Sequence, residues 1–198
     1  MAQRHRAVAP LWHGNGVTGS FFGYGSLVNA GTHSYQNLRP TTLTGWRRHW
    51  VQSSRRDVAF LGVTPDPLSS ISGLVADVGD MGWDALDLRE AAYDRLVLDT
   101  DPLVGIAMYK ASAAAVSTEN LGQPILLSYL DCVVQGFHQV FGTDGVRDFF
   151  RSTTGWDTPI LNDRAAPIYP RAGVLSSAET ALVDKHITMV GATVIAPT

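Results

Sequence analysis

Phe21-Phe22-Gly23-Tyr24-Gly25-Ser26-Leu27 is the stretch of sequence that decides the fold. Its aromatic, apolar start predicts a buried strand over residues 20–24, and the glycine before Ser26 predicts that the strand ends in a tight turn. Gly25 lets the backbone approach a ligand closely and adopt φ values that a side chain would forbid. Successive N–H groups in such a turn can form a concave nest for a carboxylate or phosphate. The stretch therefore predicts a strand followed by an anion-binding turn.

The composition predicts one globular domain. The chain has 198 residues, of which 45% are hydrophobic and 17% charged, with a net charge of −3. This balance indicates a buried core and lacks the basic surface that nucleic-acid binding requires. No apolar run reaches the length of a membrane span, so neither nucleic acid nor a membrane is expected as a partner. Residues 1–19 are polar and glycine-bearing and are predicted to be a flexible leader, which leaves one domain over residues 20–198.

Cysteine and histidine usage argues against disulfides and metals. Cys132 is the one cysteine, so no intrachain disulfide can form and a reducing compartment is favoured. The six histidines show no metal-ligand spacing. We therefore expect a cytoplasmic protein without metal or cofactor.

Strand-like segments cluster in the first 110 residues and helix-like segments follow them. This segregation predicts an α+β fold, with a small mixed or antiparallel sheet partly closed into a barrel and helices packed around it. Pro65-Asp66-Pro67 predicts a hairpin turn between strands at 58–63 and 71–78, and residues 28–40 a loop or short helix. Other predicted elements are strands at 45–52, 93–98 and 105–110, helices at 84–92, 124–141, 144–151 and 177–190, and an ordered loop or mobile lid at 154–175.

Glu90 is the candidate chemical group. In the predicted helix at 84–92, Leu86 and Glu90 are four residues apart and share a face, which packs inward if Leu86 is in the core. A carboxylate aimed at an interior is costly unless it is paired or functional, and burial raises its pKa toward a useful acid–base range. Arg89, Asp94 and Arg95 lie nearby, so a surface helix stabilised by ion pairs is equally compatible with this spacing.

The order of these motifs resembles a known family. Tyr24-Gly25-Ser26-Leu27, then Gly73-Leu74-Val75, then Leu86-Asp87-x-x-Glu90 followed by Tyr93 and an apolar strand, is similar to the gamma-glutamylcyclotransferase-like family. The similarity spans residues 20–111 and, more loosely, the helix at 128–132. Residues 155–167 also resemble the tail of some bacterial members.

The resemblance implies a cofactor-free enzyme that cleaves a γ-glutamyl amide. The substrate's own α-amine attacks its γ-carbonyl, closes 5-oxoproline and releases the amine. By position, Glu90 is the implied general acid and base. Only three positions separate Tyr93 from Glu90, whereas many members place their tyrosine further along the chain. The implied substrate-binding residues are Tyr24, Gly25, Ser26, Leu27 and Tyr93.

Two other functions stay open at the level of sequence. A domain of the same fold could bind a small ligand or regulate a partner without catalysis. A serine hydrolase would need His49 or His138 within hydrogen-bond reach of Ser26. The leaving group also stays open, because glutathione, other γ-glutamyl amino acids and γ-glutamyl amines share the half that the turn is expected to bind.

Overall fold

The fold combines a mixed sheet with helices, as the sequence predicts. A computed structural model describes residues 19–197. The strands are β1 (Ser20–Gly23), β2 (Gln36–Val51), β3 (Phe60–Asp77), β4 (Tyr93–Val97), β5 (Ala107–Ala111), β6 (Ile125–Leu126), β7 (Thr153–Thr154), β8 (Ile160–Leu161) and β9 (Val194–Ile195), and the helices are α1 (Gly82–Arg89), α2 (Leu127–Arg151) and α3 (Ser177–Met189). Six strands form a mixed sheet in the order β4-β5-β1-β3-β2-β7, and three short parallel strands form a second sheet in the order β6-β8-β9.

The predicted hairpin at Pro65-Asp66-Pro67 is wrong. Strand β3 runs through these residues, and both of its halves pair with β2 instead of with each other. Thr44 pairs with Ser70 and Trp46 with Pro65, so residues 66–69 bulge opposite the single residue Gly45. Gly45 has a φ of 85°, which favours glycine. The bulge removes Pro67 from the regular ladder and leaves Pro65 at its edge, and a bulge is one of the places where a strand tolerates proline.

The loop or short helix predicted at 28–40 is only partly correct. Two 3₁₀ turns occupy residues 26–28 and 30–32, but β2 already begins at Gln36 and passes through Pro40. Pro40 pairs with Leu74 of β3, whereas β7 pairs with β2 only at Arg48 and His49. Pro40 therefore lies where β2 is an edge strand among the described residues, and an edge strand tolerates a missing N–H.

The helices are close to the predicted ones, apart from α1. That helix begins at Gly82 and ends at Arg89, so it starts two residues and ends three residues earlier than predicted. Gly142 breaks α2 at the predicted boundary between its two helical segments. Helix α3 begins with a capping box, in which Ser176 and Glu179 bond reciprocally. None of the helices described in residues 19–197 is long and apolar enough to cross a membrane. The predicted leader, apart from Gly19, lies outside the described residues.

A fully buried arginine joins β1, β3 and the end of α2. Arg48 of β2 is 0% exposed. Its Nε donates to the carbonyl oxygen of Tyr24 at 2.9 Å, and another guanidinium nitrogen donates to Ser152 Oγ at 2.9 Å. The third nitrogen donates to the carbonyl oxygen of Ser72. One side chain thus fixes the chain where β1 ends, at the start of the turn that the sequence singles out.

Aromatic rings surround this guanidinium. It lies 5.0 Å from the ring centre of Phe137 and 5.2 Å from that of Phe149, both on α2. Burial lowers the pKa of Arg48 to about 9. Within residues 19–197 no carboxylate forms an ion pair with it. The charge is therefore stabilised by carbonyl and hydroxyl acceptors and by the faces of the rings.

We predict that Arg48→Met lowers the free energy of unfolding by at least ~2 kcal/mol, because buried acceptors lose their donors at a cost of about 1–3 kcal/mol each. Urea unfolding monitored by circular dichroism measures the change. The matched control is Arg47→Met on the same strand, since the Arg47 side chain is 44% exposed and forms only a long ion pair with Asp66. Similar losses for the two variants would contradict the role assigned to Arg48.

Candidate active site

The predicted site residues come together around one cavity of about 320 Å³. The end of β1 and its turn form one wall, β3 contributes a second, and the α1–β4 connection a third. The predicted residues that line it are Tyr24, Gly25, Ser26, Leu27, Glu90 and Tyr93. The structure thus joins two parts of the sequence that lie more than 60 positions apart.

The turn after β1 is a 3₁₀ turn over residues 26–28. Val28 N–H donates to the carbonyl oxygen of Gly25 at 2.9 Å, and Asn29 N–H to that of Ser26 at 3.1 Å. No side chain of the described residues caps the start of this turn. Its first N–H groups are the ones that a helical turn leaves without internal partners, and these residues line the cavity.

Space, and not a left-handed backbone, explains the glycine at position 25. Its φ is −129°, so the expectation of a φ that only glycine adopts is not met. A Cβ atom there would lie 2.9 Å from the hydroxyl oxygen of Tyr129 and 3.2 Å from Cδ2 of Leu61. Any side chain at position 25 therefore collides with the cavity wall.

Glu90 is buried in the same cavity. It is the C-cap of α1, one residue beyond the helix, and its N–H donates to the Leu86 carbonyl oxygen at 2.9 Å. This bond keeps Glu90 on the side of Leu86, which is 0% exposed. The Glu90 side chain is only 14% exposed, so the alternative of a solvent-facing helix does not hold. Burial raises the pKa of Glu90, while the charge of Arg89 opposes that rise.

Arg89 connects the glutamate to the turn. Its side chain is 8% exposed, and its Nε lies 3.2 Å from Oε1 of Glu90. The other guanidinium nitrogens donate to the carbonyl oxygen and hydroxyl of Thr32, at 3.0 and 3.1 Å, and to Ser26 Oγ at 3.4 Å. The sequence suggests Arg89 only as an ion-pair partner on a surface, so its bridging position is a finding of the structure.

Five tyrosines contribute to the wall of the cavity: Tyr24, Tyr93, Tyr109, Tyr129 and Tyr169. Tyr24 donates its hydroxyl to the carbonyl oxygen of Tyr109 at 2.7 Å, and Tyr93 donates to that of Leu61 at 2.9 Å. Burial raises the pKa of Tyr24 and of Tyr93 well above the ordinary value, so both phenols stay neutral. Tyr93 therefore lines the cavity as expected, with its proton already donated to the backbone.

The loop after β8 contributes residues that the sequence did not indicate. Asp163 is 3% exposed and accepts from the N–H of Ser128 at 2.8 Å and of Ile168 at 2.9 Å. Arg164 adds a two-pronged ion pair with Asp131 of α2, with both contacts at 2.7 Å. These contacts fix an ordered loop, which places Ile168, Tyr169, Pro170 and Arg171 against the cavity.

Solved structures of other proteins share this architecture. YkqA from Bacillus subtilis matches with a TM-score of 0.54 at 13% identity, over 68% of this chain and 54% of that one. An uncharacterised protein from Homo sapiens matches with a TM-score of 0.50 at 10% identity, over 84% of this chain and 98% of that one. A gamma-glutamyl cyclotransferase matches with a TM-score of 0.50 at 10% identity, over 85% of this chain and 99% of that one. The chain has the gamma-glutamyl cyclotransferase fold. No family model and no curated protein matches it.

On this gamma-glutamyl cyclotransferase fold, Ser26 has none of the surroundings of a serine nucleophile. Its hydroxyl accepts a hydrogen bond from Arg89, and within the described part of the chain no histidine hydrogen-bonds to it. His49 and His138, the candidate bases, do not line the cavity. The geometry therefore disfavours the serine-hydrolase alternative.

The close approach at Gly25 gives a prediction for stability. Gly25→Ala places a methyl group against the Tyr129 hydroxyl, and we expect a loss of about 1–3 kcal/mol from this overpacking. Tyr129→Phe removes the hydroxyl oxygen that the new methyl group would contact. The double variant should therefore recover part of the lost stability. Thermal unfolding of the wild type, both single variants and the double variant measures the coupling. Strictly additive effects would show that the Tyr129 hydroxyl is not the obstacle.

Proposed function

We propose that this protein is a gamma-glutamyl cyclotransferase, which releases 5-oxoproline from a γ-glutamyl amide. The observation that carries the proposal is the position of Glu90. Its carboxylate is buried and has a raised pKa, and it lines the same cavity as the turn at residues 24–27. A buried acid–base group beside an anion-binding turn suits a substrate that carries both an α-carboxylate and an α-amine.

The chemistry needs no nucleophile from the protein. The substrate's α-amine adds to its own γ-carbonyl, so a new C–N bond closes the five-membered ring as the original amide C–N bond breaks. Glu90 takes the proton that the attacking amine loses and returns it to the departing amine. The reaction balances with no other reactant, and the enzyme's task is to hold the chain folded for attack.

The turn is the proposed anchor for the α-carboxylate. Its first N–H groups receive no side-chain cap within residues 19–197 and belong to residues that line the cavity. Arg89, hydrogen-bonded to Ser26 Oγ, adds a positive charge beside them. Backbone donors and a guanidinium together favour an anionic group at this end of the cavity.

A binding domain without catalysis is the second candidate. The same cavity would hold a γ-glutamyl ligand, and the Arg89–Glu90 ion pair would then be only structural. The inward-facing carboxylate favours the enzyme, because burial raises its pKa, which suits a group that transfers a proton and is not needed to bind the α-ammonium of a ligand. We also propose a cytoplasmic location, since the single cysteine calls for no oxidising compartment.

The Glu90→Gln variant tests the proposal. Glutamine keeps the size of the side chain but cannot accept a proton, so 5-oxoproline release from a panel of γ-glutamyl amides should fall at least ~100-fold. The melting temperature should change little, because the side-chain oxygen of glutamine can still accept the hydrogen bond that Arg89 Nε donates to Glu90.

Ser26→Ala is the matched control for that experiment. It removes about one hydrogen bond, worth ~1 kcal/mol, and should keep most of the activity. Wild-type turnover in Glu90→Gln would refute the assignment of Glu90 as the general base. An inactive Ser26→Ala with a covalent adduct on the wild type would establish a serine hydrolase.

The pH dependence of kcat/KM gives an independent prediction. Protonated Glu90 cannot act as a base, so activity should fall below its pKa, which burial has raised above the ordinary glutamate value. Arg89 lowers this pKa by its charge, so Arg89→Met should move the acidic limb to higher pH. Arg147→Met removes a half-exposed arginine of α2 and is the control. If the acidic limb of kcat/KM lies at the same pH in Arg89→Met as in the wild type, then a group other than Glu90 causes that limb.

A further inference from the structure

Residues 169–172 form a tight turn in the loop that follows β8. The N–H of Ala172 donates to the carbonyl oxygen of Tyr169 at 3.1 Å, and Arg171 lies inside this turn, where it lines the cavity. Before the turn, the N–H of Tyr169 donates to Ser128 Oγ at 3.3 Å, and Ser128 belongs to the first turn of α2. The chain that leads into Arg171 is therefore fixed to the start of this helix.

Gln135 of α2 fixes the chain on the other side of Arg171. Its Nε2 donates to the carbonyl oxygen of Val174 at 3.2 Å. Its Oε1 accepts from Asn29 Nδ2 at 3.2 Å, and Asn29 is the residue that ends the 3₁₀ turn over residues 26–28. One side chain thus joins the loop to the turn that we propose as the anion site. Arg171 is held beside that turn by contacts on both sides of it in the chain.

The charge of Arg171 acts on groups at the same end of the cavity as the turn. Asn29 Nδ2 donates to the carbonyl oxygen of Cys132 at 2.8 Å, so Cys132 lies directly behind the turn. Burial raises the pKa of Glu90 and of Cys132, and the charges of Arg89 and Arg171 oppose this rise at both groups. Both guanidinium groups are therefore close to the turn and to the proposed base.

Of these two arginines, Arg171 is the one whose guanidinium is available to a ligand. All three guanidinium nitrogens of Arg89 already donate to Glu90, Thr32 or Ser26. Within residues 19–197, Arg171 forms no ion pair. A guanidinium binds a carboxylate best through two parallel hydrogen bonds, which need two nitrogens that are not already engaged. Arg171 meets this requirement and Arg89 does not.

We propose that Arg171 is a specificity-determining residue, which binds the α-carboxylate of the substrate from the loop while the N–H groups of the turn at residues 24–27 bind it from β1. This inference rests on the proposed cyclotransferase activity. Arg171 then selects a γ-glutamyl group over a chain of the same length that lacks the α-carboxylate. The α-amine is attached to the same carbon as this carboxylate, so holding the carboxylate on two sides also positions the amine for attack.

Pairs of substrates that differ only by the α-carboxylate test the inference. Amides of 4-aminobutyrate lack this group but keep the amine and the carbonyl at the same spacing. Their amine attacks the carbonyl, closes 2-pyrrolidinone and releases the same leaving amine, so the reaction is otherwise unchanged. Glutathione, γ-glutamylalanine and γ-glutamylethylamide are each compared with their 4-aminobutyryl analogue, and the lactam product is measured. The pH is held well above the acidic limb of kcat/KM, so that Glu90 stays ionised in every variant.

The wild type should act on the γ-glutamyl member of a pair with the higher kcat/KM. Arg171→Gln should reduce this preference by about tenfold or more, through KM, because one charge-assisted pair is lost. The 4-aminobutyryl reaction should stay within roughly twofold of the wild-type rate, since it does not use Arg171. Arg171→Lys should keep part of the preference, because the charge remains but the two parallel hydrogen bonds do not. Arg151→Gln, which neutralises an exposed arginine outside the cavity, is the control.

The outcomes separate the two proposals. If the wild type releases no lactam from any of the γ-glutamyl amides, the cyclotransferase proposal is overturned and this inference with it. A preference that survives in Arg171→Gln overturns the inference alone, because the carboxylate is then recognised without Arg171. An equal loss with both members of a pair also overturns it, since Arg171 would then act on Glu90 or on the loop. A loss confined to the γ-glutamyl substrates supports it.

Discussion

A buried positive charge, with no carboxylate partner among residues 19–197, is the constraint on which the site depends. Removing the Arg48 guanidinium from water is costly, and the lowered pKa of the group reflects that cost. The structure offsets it with fixed acceptors, of which the Tyr24 carbonyl is one. Because Arg48 holds this oxygen, the chain leaves β1 at a fixed point, and the next residues line the cavity. The turn that we propose as the anion site is thus positioned by the core and not by its own sequence alone.

Burial and the charge of Arg89 shift the pKa of Glu90 in opposite directions. Burial favours the neutral acid, and the adjacent Arg89 favours the carboxylate. A group between these limits can both take and return a proton, as cyclisation of a γ-glutamyl amide requires. The same guanidinium hydrogen-bonds to Ser26 Oγ. The Arg89 side chain therefore both lowers the pKa of Glu90 and holds the turn, so that moving either Glu90 or the turn would affect the other.

Local sequence patterns predicted local structure correctly, but they did not predict which distant segments pair in the sheet. The helix that begins at Ser177 and the strand before Gly25 depend on neighbouring residues, and both are found. Pro65 and Pro67 indicated a hairpin turn. The local sequence does not show that β2 pairs with both halves of β3, so the prediction was wrong. Glu90 was found through its motif. Arg171 had no such signal, since only the loop anchored by Asp163 brings it to the cavity.

The cavity beside the end of β1 is bounded by parts of the chain with different constraints. The turn at residues 24–27 is tied to Arg48 through the Tyr24 carbonyl and to Glu90 through Arg89, so a change in any of these side chains is felt at the turn. The loop at residues 168–171 lines the same cavity, and Asp163 holds it independently of that network. Substitutions in this loop can therefore reshape the cavity while Glu90 and the turn stay in place. A fold of this kind keeps one part of its cavity wall while another part changes, which is why a shared fold at 10–13% identity carries no substrate with it.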